Sequence, residues 1–243
     1  MVIAKEDRRW KTMRYQKIVE GIFINRPNRF IAHVEINGVE VVSHVKNTGR
    51  CKELLIPNRT KVYLEDHGLH TTRKTRYSLI AVEKETKEGT ILINMDSQAP
   101  NKVAKEWVEQ GGLGEKITYI KSEKTYGDSR FDLYFEYETE GGDIKKAYME
   151  VKGVTLEEDG IVKFPDAPTS RGSKHMEGLI RAKKEGYEAY LLFVVQMERF
   201  TSFTANEATD PQFAQTLIAA KEAGVHILVK PCEVTPDSLK IKS

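Results

Sequence analysis

The sequence predicts an α+β protein in two unlike parts: a small antiparallel β-barrel or sandwich over residues 1–96, then a mixed α/β domain over 97–243. Three observations carry that prediction. Residues 15–95 break into short runs rich in Val, Ile and Tyr separated by turns. After Met95, helical spacing begins to alternate with strand-like runs. Charge divides at the same place: Lys and Arg outnumber Asp and Glu by 18 to 12 over residues 1–96, but are outnumbered 24 to 20 beyond, although the whole chain carries only +2.

The first part reads as "YQKIVEGIFI", "RFIAHVEI", "VEVVSHV", "TKVYLEDH", "RYSLIAVEKE" and "GTILINM". Asn37-Gly38 joins the second and third runs, and Asn-Gly favours the positive-φ pair of a two-residue hairpin. Glu88-Gly89 marks another turn. Closely spaced short strands of this kind close into small barrels or sandwiches.

The second part opens on "NKVAKEWVEQGG", where Val103, Ala104, Trp107 and Val108 share one helix face and Gly111-Gly112 ends it. "KITYIKSE", "SRFDLYFEYE" and "AYMEVKGV" follow as strands. "SRGSKHMEGLIRAKKEG" predicts a helix with Met176, Leu179 and Ile180 inward. "YEAYLLFVV" is the continuous apolar run of a strand buried on both faces. "DPQFAQTLIAAKEAG" is a helix capped by Asp210 with Pro211 in its first turn, and "VHILVK" is a last strand. The predicted order is α-β-β-β-α-β-α-β.

No apolar run approaches the roughly 18–20 residues of a membrane helix. The charged start "MVIAKEDRRWKTMRY" has no signal-peptide core, so a cytoplasmic protein with no membrane partner is expected. Two cysteines, Cys51 and Cys232, are too few for a disulfide framework, and no disulfide-linked partner is expected.

Chemistry concentrates in "AYMEVKG", residues 147–153. Period-two alternation puts Met149 and Val151 on one face and Glu150 and Lys152 on the other. "SRFDLYFEYE" and "KKAYMEVKG" flank "TEGGD" and predict a hairpin centred near Gly142, with Asp132 opposite Lys152 and Glu150 diagonal on the same face. Phe131, Leu133 and Phe135 are expected on the far face with Met149 and Val151. An E-x-K pair alone is ordinary solvated surface; Asp132 on the partner strand sets this one apart. Asp132, Glu150 and the carbonyl of Val151 offer hard oxygens suited to Mg²⁺ or Mn²⁺. Lys152 is placed to orient a water or to offset charge on a phosphodiester. Glu106 or Glu109 on the preceding helix offers a further carboxylate. Pro165-Asp166 follows the E-x-K instead of preceding it and reads as loop, and "GGLGEK" reads as a helix stop.

The D…ExK pattern on adjacent strands resembles the PD-(D/E)XK nuclease superfamily, with an αβββαβ core. The chain more closely resembles the sugar fermentation stimulation protein A family. That resemblance is carried by "HVKNTGRCKELL" (44–55), "RKTRYS" (73–78), "NKVAKEW" (101–107), "KSEKTYGDSRFD" (121–132), "MEVKGVTL" (149–156) and "FPDAPTSRGSKH" (164–175). It implies an OB-like barrel over 1–96 that binds nucleic acid and a nuclease-like domain over 97–243. It also implies a Mg²⁺- or Mn²⁺-dependent nuclease acting on DNA or RNA, with Asp132, Glu150 and Lys152 as its core, Asp132 and Glu150 as metal ligands, and Glu106 as the acidic residue of the first helix. Phe131 stands where the superfamily's name has proline.

Contacts to nucleic acid follow from charge. Arg50 and Lys52 come just after the Asn47-Thr48-Gly49 turn, and "RKTR" brings Arg73, Lys74 and Arg76 together. Arg171, Lys174 and His175 begin a helix whose N-terminus favours phosphate. The family is also described as a DNA-binding regulator of sugar-utilisation genes, so a non-catalytic nuclease-like fold is the alternative. No helix-turn-helix reader is evident.

Overall fold

The computed structural model describes residues 13–242; the reading of the first twelve residues as a charged start lies outside the described residues. The first part folds as β1 (Ile18–Asn28), β2 (Ile31–Ile36), β3 (Val39–Val45), β4 (Lys61–Asp66), β5 (Tyr77–Thr86) and β6 (Gly89–Asn94). Strand order is β3-β2-β1-β4-β5-β6, and a parallel β3–β5 pairing closes the first five strands into a barrel. Asn37 and Gly38 take φ of 51° and 79°, as the two-residue turn between β2 and β3 requires. Phe23, Val34, Val62, Leu64, Leu79 and Val82 fill the interior.

The second part runs α1 (Ala99–Glu109), β7 (Lys116–Tyr126), β8 (Ser129–Glu138), β9 (Ile144–Val154), β10 (Leu156–Glu158), β11 (Ile161–Phe164), α2 (Ser170–Lys184), β12 (Glu188–Val195), β13 (Ser202–Ala205), α3 (Pro211–Glu222), β14 (His226–Thr235) and β15 (Ser238–Ile241). Its main sheet has the order β15-β14-β12-β9-β8-β7, with β9, β12 and β14 parallel and the remainder antiparallel. The apolar run of β12 lies at the centre, buried from Ala189 to Val195.

Four short strands extend the expected order. β10, β11 and β13 form a small second sheet, and β15 extends the main one. These strands are three or four residues long, too short to show a period, and are held by pairings across the chain such as Val162 to Phe203.

α1 lays Val103, Ala104, Trp107 and Val108 on one face of the sheet against Leu133, Phe135, Met149 and Val151. α2 covers the other face, packing Met176 and Leu179 with Phe131 and Tyr148. Burying each such side chain contributes about 1.5–3 kcal/mol, which fixes the helix over the strands. Phe131 is therefore on the α2 side, not with Leu133 and Phe135 as strict alternation predicted. The alternation breaks at Asp132, where the β8–β9 ladder ends. On the other flank Glu123 of β7, between the partners of Leu133 and Phe131, takes φ of 56°.

The start of α2 is doubly secured. The Thr169 hydroxyl accepts from Gly172 N, and the Thr169 N–H donates 2.7 Å to Asp210, whose other oxygen caps α3 at Phe213 N. The two parts of the chain meet through Lys84, which donates to Glu157 at 2.6 Å, and through a bridge between Ile93 and Met197. No described helix is long and apolar enough to cross a membrane.

Candidate active site

The β8–β9 ladder runs from Glu138↔Ile144 to Leu133↔Met149. Continued by one residue it sets Asp132 across from Glu150, two residues from the Lys152 pairing expected. A slip of two preserves the face, so Glu150 and Lys152 still project together. Beyond the end of the ladder the Val151 N–H donates to Asp132 Oδ2 at 2.8 Å, and Asn101 Nδ2 of α1 donates to Asp132 Oδ1 at 2.7 Å. Two elements thus hold one carboxylate.

Glu150 is 3% exposed. Its Oε1 accepts from Lys152 Nζ at 2.6 Å and faces His175 Nδ1, while its Oε2 is buried with no hydrogen-bond partner. Burial pushes the Glu150 carboxyl upward, but the hydrogen bonds from His175 and Lys152 prevail and hold it below the usual carboxylate range. Asp132 goes the other way. Burial first, then the charge of Glu150, raise its carboxyl to about 6 against the Val151 N–H, Lys152 and Asn101.

A carboxyl that binds its proton more tightly folded than unfolded contributes stability below about pH 4, lost as pH rises through about 6. In chelator-treated protein, Asp132→Asn should therefore look better relative to wild type at pH 8 than at pH 4.5, by on the order of 2 kcal/mol. Urea melts at the two pH values measure this; an equal difference at both would show that Asp132 ionises freely.

The remaining expected residues fall into distinct places. Glu106 does not join the carboxylates. It accepts from Met13 N at 3.1 Å and lines a separate hollow with Trp107, Gly112 and Lys240. The reason is helical: Asn101 faces Asp132, and five residues on lies ~140° around and ~7.5 Å along. Glu109 pairs with Lys105. Arg76 is not a free phosphate ligand, because it donates twice to Asp66 (2.7 and 2.6 Å) and lies over the Tyr77 ring; the guanidinium holds the Asp66 carboxyl down at about 2. Lys174 pairs with Asp128 at 3.1 Å. His175, expected at the phosphate-facing surface, is buried against Glu150, and Arg171 Nε donates to its other nitrogen at 3.4 Å.

Arg50, Lys52, Arg73 and Lys74 are exposed. Arg50 and Lys52 line a groove of about 750 Å³ together with the exposed Pro57 and Ala167, backed by the buried Phe23 and Leu55. Arg26 builds it by donating to the carbonyls of Asn47, Gly49 and Arg29 at 2.6–2.7 Å, and of Arg50 at 3.0 Å. Gly49 rests on the "FPDAP" segment so closely that a Cβ there would fall 2.1 Å from Asp166 Oδ2. A small hollow shared by Asn47, Asp166 and Gly153 then leads to the neighbour of Lys152. The groove and this hollow both adjoin the 165–169 segment, through Ala167 and Asp166 respectively. Asn101 and Arg26 carried no signal in the sequence. His175 did, standing four residues after Arg171 on one helix face.

Among the described residues no three His, Cys, Asp or Glu side chains converge as a metal cage. Cys51 and Cys232 are free, and burial pushes both thiols up to about 12.

Comparison with known proteins bears on this architecture. Residues 24–93 match the model of the SfsA N-terminal OB domain, and residues 98–238 match that of the sugar fermentation stimulation protein RE domain. The chain belongs to the sugar fermentation stimulation protein family. A family member from Clostridium beijerinckii is 53% identical, the match covering 95% of this chain and 97% of that one. One from Desulfitobacterium hafniense is 52% identical over 94% and 95%. Among solved structures, SfsA of Pyrococcus furiosus in complex with Ca²⁺ superposes with a TM-score of 0.78 at 28% identity, covering 96% of each chain. The fold is that of the family: an OB domain followed by a mixed α/β domain.

Proposed function

We propose that this protein is a divalent-metal-dependent nuclease that hydrolyses phosphodiester bonds in DNA or RNA, with residues 1–96 binding the strand and 97–243 supplying the chemistry. The observation that carries this reading is the buried, unpartnered Oε2 of Glu150 in a site shared with Asp132. A buried oxygen left unmatched costs about 1–3 kcal/mol, and more when charged, so it favours a cation there. Asp132 and Glu150 present only hard oxygens, the donor set of Mg²⁺ or Mn²⁺, with waters, the Val151 carbonyl and substrate oxygens to fill the shell. A relative whose structure is described in complex with Ca²⁺, another hard cation, is in keeping with this.

A bound ion of this type would neutralise charge on the phosphodiester and acidify a water. The protein's own groups do the rest. Asp132, held by Asn101 and Val151 N–H, and Glu150 orient the site. Lys152 swings from Glu150 to position the attacking water or to offset the developing negative charge. The water oxygen bonds to phosphorus and gives up one proton to solvent, one phosphorus–sugar oxygen bond breaks, and the departing oxygen takes up a proton from solvent. The groove beside the 165–169 segment seats an unpaired base against the exposed Pro57 and Ala167, with Arg50 and Lys52 on flanking phosphates and Arg73 and Lys74 reaching further ones. Arg171 and Lys174 line the approach at the start of α2. Nucleic acid of this kind is met in the cytoplasm, the compartment expected above.

The test is cleavage of single- and double-stranded DNA and RNA with Mg²⁺, with Mn²⁺ and with chelator. Metal-dependent products lost in Glu150→Gln are expected. Binding without cleavage under every condition would instead favour the DNA-binding regulator with an idle site.

A further inference from the structure

We infer that His175 is a positioning residue for the metal site: it holds Glu150 Oε1 so that Oε2 is presented to the ion, and it goes on doing so when Lys152 leaves to meet substrate. This inference rests on the metal-site reading above.

The geometry leaves His175 little other work. The residue is 7% exposed, and both ring nitrogens are engaged. Nδ1 faces a carboxylate oxygen and must carry the proton; Nε2 accepts from Arg171 Nε at 3.4 Å. Facing an acceptor-only carboxylate oxygen, Nδ1 is the donor to Glu150. The ring is fixed on its remaining side by Phe131, edge-on at 6.3 Å. Depth is set one turn later. A Cβ on Gly178 would come within 2.9 Å of Ser129 Oγ and 3.0 Å of Phe131 Cζ, so only glycine lets α2 press this closely on β8. Arg171, His175 and Gly178 therefore form one stripe of α2, with His175 against Glu150 and Gly178 against β8.

Two donors converge on a single oxygen of Glu150, and none reaches the other. One of the two, Lys152, sits on a flexible four-carbon stem and is wanted by the substrate. The other is a rigid ring on a packed helix. With Lys152 as the sole tether, Glu150 would be free to rotate at the moment of reaction. His175 removes that freedom. Partners of metal-binding carboxylates act in this way by fixing orientation without touching the ion.

The test is Mn²⁺ binding in the absence of nucleic acid, followed by the electron paramagnetic resonance signal of the free ion, with thermal melts of the same samples. His175→Leu, which keeps bulk but has no donor, should weaken Mn²⁺ binding by roughly 10- to 100-fold, the usual effect of losing such a partner. His175→Asn places an amide N–H near the Nδ1 position and should restore affinity to within a few-fold of wild type. His175→Gln carries its amide too far along and should not. The inference is overturned if His175→Leu binds Mn²⁺ like wild type, or if Asn and Gln variants with equal melting temperatures are equally weak. If His175→Leu does not fold, the Asn–Gln comparison alone decides. If the wild-type protein itself binds no Mn²⁺, the metal-site reading falls, and this inference with it.

Discussion

Lys152→Ala should lower phosphodiester cleavage by a factor on the order of 10² or more while leaving nucleic-acid affinity nearly unchanged. Lys152 is largely buried and its ammonium lies 2.6 Å from Glu150 Oε1, so it stays paired there while a strand docks and moves only as the reaction begins. Its charge counts when negative charge builds beside it in a site from which water is mostly excluded, where one preorganised group contributes about 2.7–4 kcal/mol. Glu150 keeps its hydrogen bond from His175 in the variant, so a loss of turnover would report the ammonium and not a collapsed carboxylate. Single-turnover cleavage and filter binding separate the two quantities. Wild-type cleavage by the variant would mean the site is misplaced; intact cleavage chemistry with weakened binding would make Lys152 a docking residue.

Replacing Arg50 and Lys52 together by alanine should do the reverse. Both are exposed on the rim of the groove, and neither is near the carboxylates in sequence. For every phosphate no longer gripped, the log–log salt dependence of binding should flatten by up to ~0.9 for a duplex and ~0.7 for a single strand. Removing both cations should weaken binding roughly tenfold or more at low salt, with turnover at saturation unchanged. Adding Arg73→Ala and Lys74→Ala should extend the trend. Arg76 is left out because its removal would leave the Asp66 carboxylate without its partner and confound binding with stability. Titrations over a range of salt concentrations measure the slope. An unchanged slope in the four-residue variant would move the nucleic-acid surface off the barrel.

Much of the fold was legible because it is written locally. The six strands of the first part, the Asn37-Gly38 turn, the Asp210 cap with Pro211 in the first turn after it, and the buried run of β12 all stand where sequence patterns put them. Period-two alternation also placed Glu150 and Lys152 on one face, and a register error of two residues could not disturb that. These features depend on residues adjacent in the chain, whose geometry repeats.

Only the tertiary structure decided who meets whom. It paired Asp132 with Asn101 instead of bringing in Glu106, turned Phe131 to the α2 side, and sank His175 against Glu150. It spent Arg76 on Asp66, and it used Arg26 to shape the loop that carries Arg50. Each is a meeting of groups far apart in sequence or pointing in directions set by packing on the sheet. A residue's type and spacing say what it can offer; which partner takes the offer depends on the depth and rotation at which α1 and α2 settle on the strands.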